Sequence, residues 1–313
     1  MTFRSLLIAA SVMALAACSG AETEAEDAAV VDAVETADRD TAMQEADMTG
    51  VATFDADALD AILAAQDEAA QARYDDRNPA ATLEFFGIVP GMAVGEALPG
   101  GGWYSKILLP YLGDEGRLVG VDYDLDLWPN FNFGTEEFIE GKRSWPETWV
   151  ADARGWTDSD VDIEAYTFSD LPQDGSLDAF LFIRALHNLN RFEEGRFMDS
   201  ALANVMGALK PGGLVGVVQH EGPADAPDDW ADGSNAYLRR ADVVGAFEAA
   251  GFTLVGESDV NANPLDMPSP EAGDSVWRLS PTLATSREDA ELRAELEAIG
   301  ESNRMTLLFQ KPE

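Results

Sequence analysis

The feature that most constrains this chain is a repeated alternation of short, mostly apolar runs with stretches of helical spacing. The runs 91–98, 116–121, 163–168, 177–183, 214–218, 252–257 and 305–310 lack the strict polar alternation of a half-exposed strand. Strands of that kind are covered on both faces, as in parallel sheets. Between them, helices are expected over 57–73, 78–86, 103–112, 197–209, 240–250 and 286–299. Asn78 is read as a helix cap, with Pro79 at the first helical position. Residues 123–160 read as irregular and aromatic, and 261–281 as a proline-rich connection. Strands alternating with helices predict an α/β fold: a Rossmann-like, doubly wound, mostly parallel seven-stranded sheet with helices on both faces. In such sheets a ligand sits at the carboxyl ends of the strands, near the point where strand order reverses.

Two features fall at such ends. Glu96-Ala97-Leu98-Pro99-Gly100-Gly101-Gly102 joins the first strand to the next helix, and Asp122 ends the second strand. Glycines there let a backbone approach a ligand closely and adopt positive φ. The turn lacks the Gly-Lys-Ser/Thr of a phosphate loop and the Gly-x-Gly-x-x-Gly of a dinucleotide site. An acid at the end of the second strand can accept hydrogen bonds from both hydroxyls of a ribose. With no Lys or Arg in the turn to meet a pyrophosphate, the set fits a nucleoside ligand without phosphate.

From about residue 78 onward the chain resembles class I S-adenosylmethionine (SAM)-dependent methyltransferases. Glu96 to Gly102 is similar to their first motif, with Gly100 and Gly102 on its second and third glycines and Leu98 in place of the first. Asp122 stands at the position of the ribose-binding acid. Asp174-Gly175-Ser176-Leu177-Asp178 and Leu209-Lys210-Pro211-Gly212-Gly213 resemble the approaches to the fourth and fifth strands. More narrowly, Pro99 to Tyr104, Arg184 to Asn188 and Ile299 to Thr306 resemble a group of predicted, often exported, bacterial methyltransferases. The resemblance implies SAM as cofactor, bound by Glu96, Leu98, Pro99, Gly100, Gly101, Gly102 and Asp122. It places adenine near Thr167 and Phe168, with Thr167 where the family has an acid. It also implies an antiparallel last strand, and names no acceptor.

Methyl transfer to a small-molecule acceptor needs positioning more than covalent help, and sometimes a base. His187 is the candidate base or substrate contact, with Arg184 and Asn188 in the same loop; His220 follows the fifth strand. Each has a plain alternative: a satisfied polar histidine, or an arginine paired with a surface carboxylate. The latter is also the reading for Arg73, Arg77 and Arg304. Trp103 and Tyr104 either cover the methionine part of the cofactor or pack the first helix.

The N-terminus sets a second constraint. The apolar run 6–17 is shorter than the ~20 residues of a membrane span and has the length of a signal-peptide core. It ends in Leu15-Ala16-Ala17-Cys18-Ser19, which resembles the lipobox of bacterial lipoproteins. Residues 1–18 are thus expected to be a signal peptide, with lipidation at Cys18, the chain's only cysteine. Residues 19–54 read as an acidic disordered tether, with a long acidic helix as the alternative. Residues 55–313 are the expected methyltransferase domain. Such a protein would face the periplasm, on the outer membrane, with its lipid as the only membrane contact. The net charge of -38, from 58 acidic and 20 basic residues, disfavours nucleic acid as a partner. Two histidines and no free thiol leave no transition-metal ligand cluster to expect. Two further readings compete: a non-catalytic nucleoside- or SAM-binding module of the same fold, and, more weakly, a nicotinamide-dependent oxidoreductase.

Overall fold

The computed structural model describes residues 53–313; the expected signal peptide, Cys18 and all but the last two residues of the expected tether lie outside the described residues. Seven strands form one sheet: β1 (Ala93–Ala97), β2 (Arg117–Asp122), β3 (Asp162–Thr167), β4 (Leu177–Ile183), β5 (Leu209–His220), β6 (Thr253–Ser258) and β7 (Arg304–Gln310). Their order is β3-β2-β1-β4-β5-β7-β6. The run from β3 to β5 is parallel, and β7 lies antiparallel between β5 and β6. The expected doubly wound fold is therefore present, including its antiparallel last strand. Strand order reverses between β1 and β4, so a crevice opens at the carboxyl ends of these two strands.

The helices before the first crossover are α1 (Ala56–Ala65), α2 (Glu68–Gln71), α3 (Tyr74–Arg77), α4 (Pro79–Phe85) and α5 (Ser105–Leu112). After β2 come α6 (Glu136–Arg143) and α7 (Trp145–Arg154); after β4 come α8 (Leu186–Arg191) and α9 (Arg196–Ala208). The last two are α10 (Arg240–Ala249) and α11 (Ala290–Ile299). Two large apolar clusters cover the sheet, one built around Phe168, Phe180 and Phe182, the other around Leu83, Leu108 and Trp149.

Several expectations need correction. The single helix over 57–73 is interrupted, because the Asp67 carboxylate accepts from Ala70 N–H at 2.8 Å and starts a new helix there. Asn78 does not cap α4: it sits in the left-handed region (φ 42°), and its amide donates to Val260 O at 2.8 Å instead. The last helix starts later than expected, where Asp289 accepts from Glu291 and Leu292 N–H. Most consequential, the stretch read as irregular contains α6 and α7. Thr135 caps α6, Glu136 and Glu137 fill its first turn, and Lys142 and Arg143 its last. That charge order suits the helix dipole; α6 fully buries no residue, and only Phe138 and Ile139 pack, partly buried, against the core.

Glycines inside the strands let aromatic rings lie flat on the sheet. A Cβ on Gly216 would come within 2.6 Å of the Phe86 ring, and one on Gly120 within 2.8 Å of Trp149. The Gly120→Ala substitution is expected to destabilise the protein by about 1–3 kcal/mol, because Trp149 must be displaced from a packed layer. Urea denaturation measures this; a midpoint equal to that of the wild type would refute the packing role assigned to Gly120.

Candidate functional site

The turn after β1 contains two kinds of glycine. Gly102 (φ 76°) is packed: a side chain there would overlap the Trp156 ring. Gly100 (φ 56°) and Gly101 face open space, with only Leu98 O, at 3.8 Å, near a Cβ on Gly100 and nothing within 4 Å of one on Gly101. Leu98, in place of the family's first glycine, itself has φ 50°. The backbone shape is therefore kept by a residue for which the left-handed region costs about 1–2 kcal/mol. Its N–H donates to Val121 O at 2.7 Å, which ties the turn to the end of β2. Pro99 is buried beneath the turn.

Glu96 is buried at 3% exposure and accepts a 2.6 Å hydrogen bond from Ser105 Oγ. Burial raises its pKa to about 7, against the partial relief from Ser105. Asp122, on the neighbouring strand, is buried at 2%. One carboxylate oxygen accepts from Tyr123 N–H at 2.9 Å, and the other meets Lys142 Nζ at 2.7 Å. Burial raises the Asp122 pKa, and Lys142 opposes that shift. The Lys142 ammonium also lies over the Trp128 ring, 4.2 Å from its centroid. Sequence reasoning missed Lys142, because it belongs to the helix that sequence reasoning missed.

Thr167 aligns with Asp122 across the β2–β3 ladder, and its hydroxyl donates to Asp170 at 2.8 Å. Phe168 is 1% exposed and stacks on Phe182 at 6.0 Å, so its ring belongs to the core rather than to the crevice.

At the ends of β4 and β5 the structure brings together Arg184, His187 and His220. They line a cavity of about 230 Å3 with Leu98, Glu301 and Ser302. Leu98 and Arg184 also border a second, more open cavity of about 480 Å3, with Gly100, Gly101, Trp103, Arg73 and Arg77. The two cavities thus flank the end of β1. Arg184 has φ 58°, a second long side chain held in the left-handed region at a strand end. His187 Nδ1 is buried with no hydrogen-bond partner among the described residues. Burial, reinforced by the charge of Arg184, lowers the His187 pKa to about 4. His220 Nδ1 lies 2.5 Å from Ser302 Oγ; burial, then the neighbouring His187, push its pKa well down. Both imidazoles are therefore neutral near pH 7. Asn188 turns away, with its amide 3.5 Å from the Tyr123 hydroxyl.

Trp103 lines the open cavity with the Arg77 guanidinium 4.6 Å from its ring centroid, while Tyr104 is buried beneath it. Arg73, Arg77 and Arg304 all form ion pairs, and all with Glu301. That carboxylate was visible in the sequence only as part of the 299–306 motif.

Chains of known structure similar in shape include an S-adenosylmethionine-dependent methyltransferase from Aquifex aeolicus (TM-score 0.43, 17% identity, 65% of this chain and 93% of that one). The [4+2]-cyclase SpnF gives 0.45 and 18%, over 76% of this chain and 80% of that one. A Burkholderia thailandensis 1,6-didemethyltoxoflavin-N1-methyltransferase, with its substrate and S-adenosylhomocysteine bound, gives 0.42 and 18%, over 79% and 80%. At such low identity and superposition scores, neither activity nor ligand carries over to this chain. No family model and no curated protein matches the sequence.

The buried Glu96 has a measurable consequence. Its folded pKa is raised from the ordinary glutamate value of 4.5 to about 7, so the folded state binds the extra proton. Stability is therefore lost as pH rises from about 4.5 through about 7, by roughly 3 kcal/mol in all. In Glu96→Gln the loss disappears: the variant should gain on the wild type over that window. Urea midpoints at pH 5 and pH 8 measure it, and an equal offset at both would refute an ionising Glu96.

Proposed function

We propose that this chain is a SAM-dependent methyltransferase acting on a small-molecule acceptor. The observation that carries the reading is the open face of Gly100 and Gly101 at the end of β1, beside the Asp122 carboxylate at the end of β2. That spacing suits a nucleoside whose ribose hydroxyls meet Asp122 and whose remainder crosses the turn. SAM would bring an activated methyl group on a sulfonium, so the protein's part is largely positioning. The open space over Gly100 and Gly101 fits such a ligand. Tyr123 N–H and Lys142 take one bond on each Asp122 oxygen, which leaves a lone pair on each for a ribose hydroxyl.

Arg184 and His187 then face the acceptor cavity. With a pKa of about 4, His187 is a weak base at neutral pH. Its role in this reading is to accept a hydrogen bond from the acceptor and orient it. Asn188 serves at one remove, by steadying α8 against Tyr123.

A second reading, a non-catalytic nucleoside- or SAM-binding module, is favoured by one feature: both Asp122 oxygens already have partners. Calorimetry on the detergent-solubilised full chain separates the readings when it is combined with a turnover assay. The first reading expects binding of S-adenosylhomocysteine. It also expects about a hundredfold weaker binding in Asp122→Ala and loss of binding in Gly101→Leu with an unchanged melting temperature. Absence of binding in the wild type would sink both readings. Binding without methyl transfer to any acceptor in a small-molecule panel would favour the module.

We also propose anchoring through a lipid on Cys18, with the domain facing the periplasm. Metabolic labelling with radioactive palmitate should mark the wild type and leave Cys18→Ser unlabelled; equal labelling of both would reject the anchor.

A further inference from the structure

Four guanidinium groups, from Arg73, Arg77, Arg184 and Arg304, converge on the single carboxylate of Glu301. Three of them are engaged by hydrogen bonds. Arg73 and Arg77 donate to Glu301, and Arg304 donates to Glu301, to Ser302 O and to Asp76 O. Asp76 adds a second acid nearby, its carboxylate 3.2 Å from Glu301 N–H.

Arg184 differs from the other three. Its guanidinium is 4.0 Å from Glu301 and donates no hydrogen bond among the described residues. Its side chain is 31% exposed, against 24% for Arg73, which is nonetheless hydrogen-bonded to Glu301, and 3% and 4% for Arg304 and Arg77. It borders both cavities, and its backbone is held at φ 58°. A purely structural cluster would engage the fourth arginine as it engages the other three. Here the fourth is aimed into space, with the cluster's excess positive charge behind it. The two imidazoles that share the smaller cavity are neutral near pH 7, so Arg184 supplies that cavity's positive charge, beside the Glu301 carboxylate that the other three arginines already hold. A planar guanidinium with free N–H groups matches the two oxygens of a carboxylate or phosphate.

We propose that the cavity between the ends of β4 and β5 and residues 276–282 takes an acceptor bearing a carboxylate or phosphate group, gripped by Arg184. This rests on the methyltransferase reading above for the word acceptor, though not for the anion site itself. The cofactor's own amino-acid carboxylate is the other possible source of the same chemistry.

Titration of the full chain with inorganic phosphate and with succinate, each against sodium chloride at matched ionic strength, tests the site. Both anions should bind, with and without saturating S-adenosylhomocysteine. Arg184→Gln should lose at least about tenfold in affinity, and Arg184→Lys, which keeps the charge without the fork, should lose less. Anions that bind no better than chloride, or equally to Arg184→Gln and wild type, would overturn the proposal. So would competition of the anions with S-adenosylhomocysteine but not with methylthioadenosine, which lacks the amino-acid part; that pattern would give Arg184 to the cofactor. Anion binding lost on Arg184→Gln, in a protein that binds no S-adenosylhomocysteine, would leave the anion site standing and sink the methyltransferase reading alone.

Discussion

The crevice depends on one buried carboxylate. Glu301, 3% exposed, joins Arg73 and Arg77 from the N-terminal helices to Arg304 at the start of β7. Burial alone would raise its pKa; the surrounding guanidinium charges outweigh that and hold it down. Removing one member of so buried a network costs several kcal/mol, since the remaining charges lose their partners. The network also has a geometric effect. It fixes the segment carrying Arg73 and Arg77 over the ends of β1 and β4, where that segment forms a wall of the open cavity. Without that clasp the glycine turn would face bulk solvent on this side.

The sign of the charge here opposes the rest of the molecule. A chain with net charge -38 repels anions at long range. Its interior arginines are therefore shielded from incidental anions by the molecule's own field and exposed only through the cavities. A ligand with a negative group gains from Arg184 at contact distance, where the low-dielectric walls strengthen the attraction. Selectivity of this kind works at short range and does not raise the rate of encounter.

How much was legible in the sequence varied with the type of signal. The strands were legible because burial on both faces leaves continuous apolar runs; β4 was read at its observed limits. The glycine turn and Asp122 were legible because backbone conformation and strand ends leave local marks. The helices α6 and α8 were not, since α6 has only two apolar residues, Phe138 and Ile139, in a charged eight-residue stretch and α8 has only six residues. With α6 went Lys142, the partner of Asp122. The Glu301 cluster was equally hidden as a cluster, because Arg73 and Glu301 lie 228 positions apart in the chain. Their residue types suggested ion pairs, but only the fold shows that they share one acid.

The two buried acids of the crevice illustrate opposite ways to hold a charge. Glu301 is neutralised by three arginines that are themselves fixed by several hydrogen bonds across separate elements. Asp122 is neutralised by a single lysine from α6, whose apolar contact with the core is limited to the partly buried Phe138 and Ile139. Local stability follows buried contacts, so the second arrangement is the cheaper one to rearrange. The wall of the crevice is thus built on the acid with several fixed partners, while Asp122 is held by a helix with few buried contacts. The strained φ angles of Leu98 and Arg184 fall on the side held by Glu301, with which both line the smaller cavity.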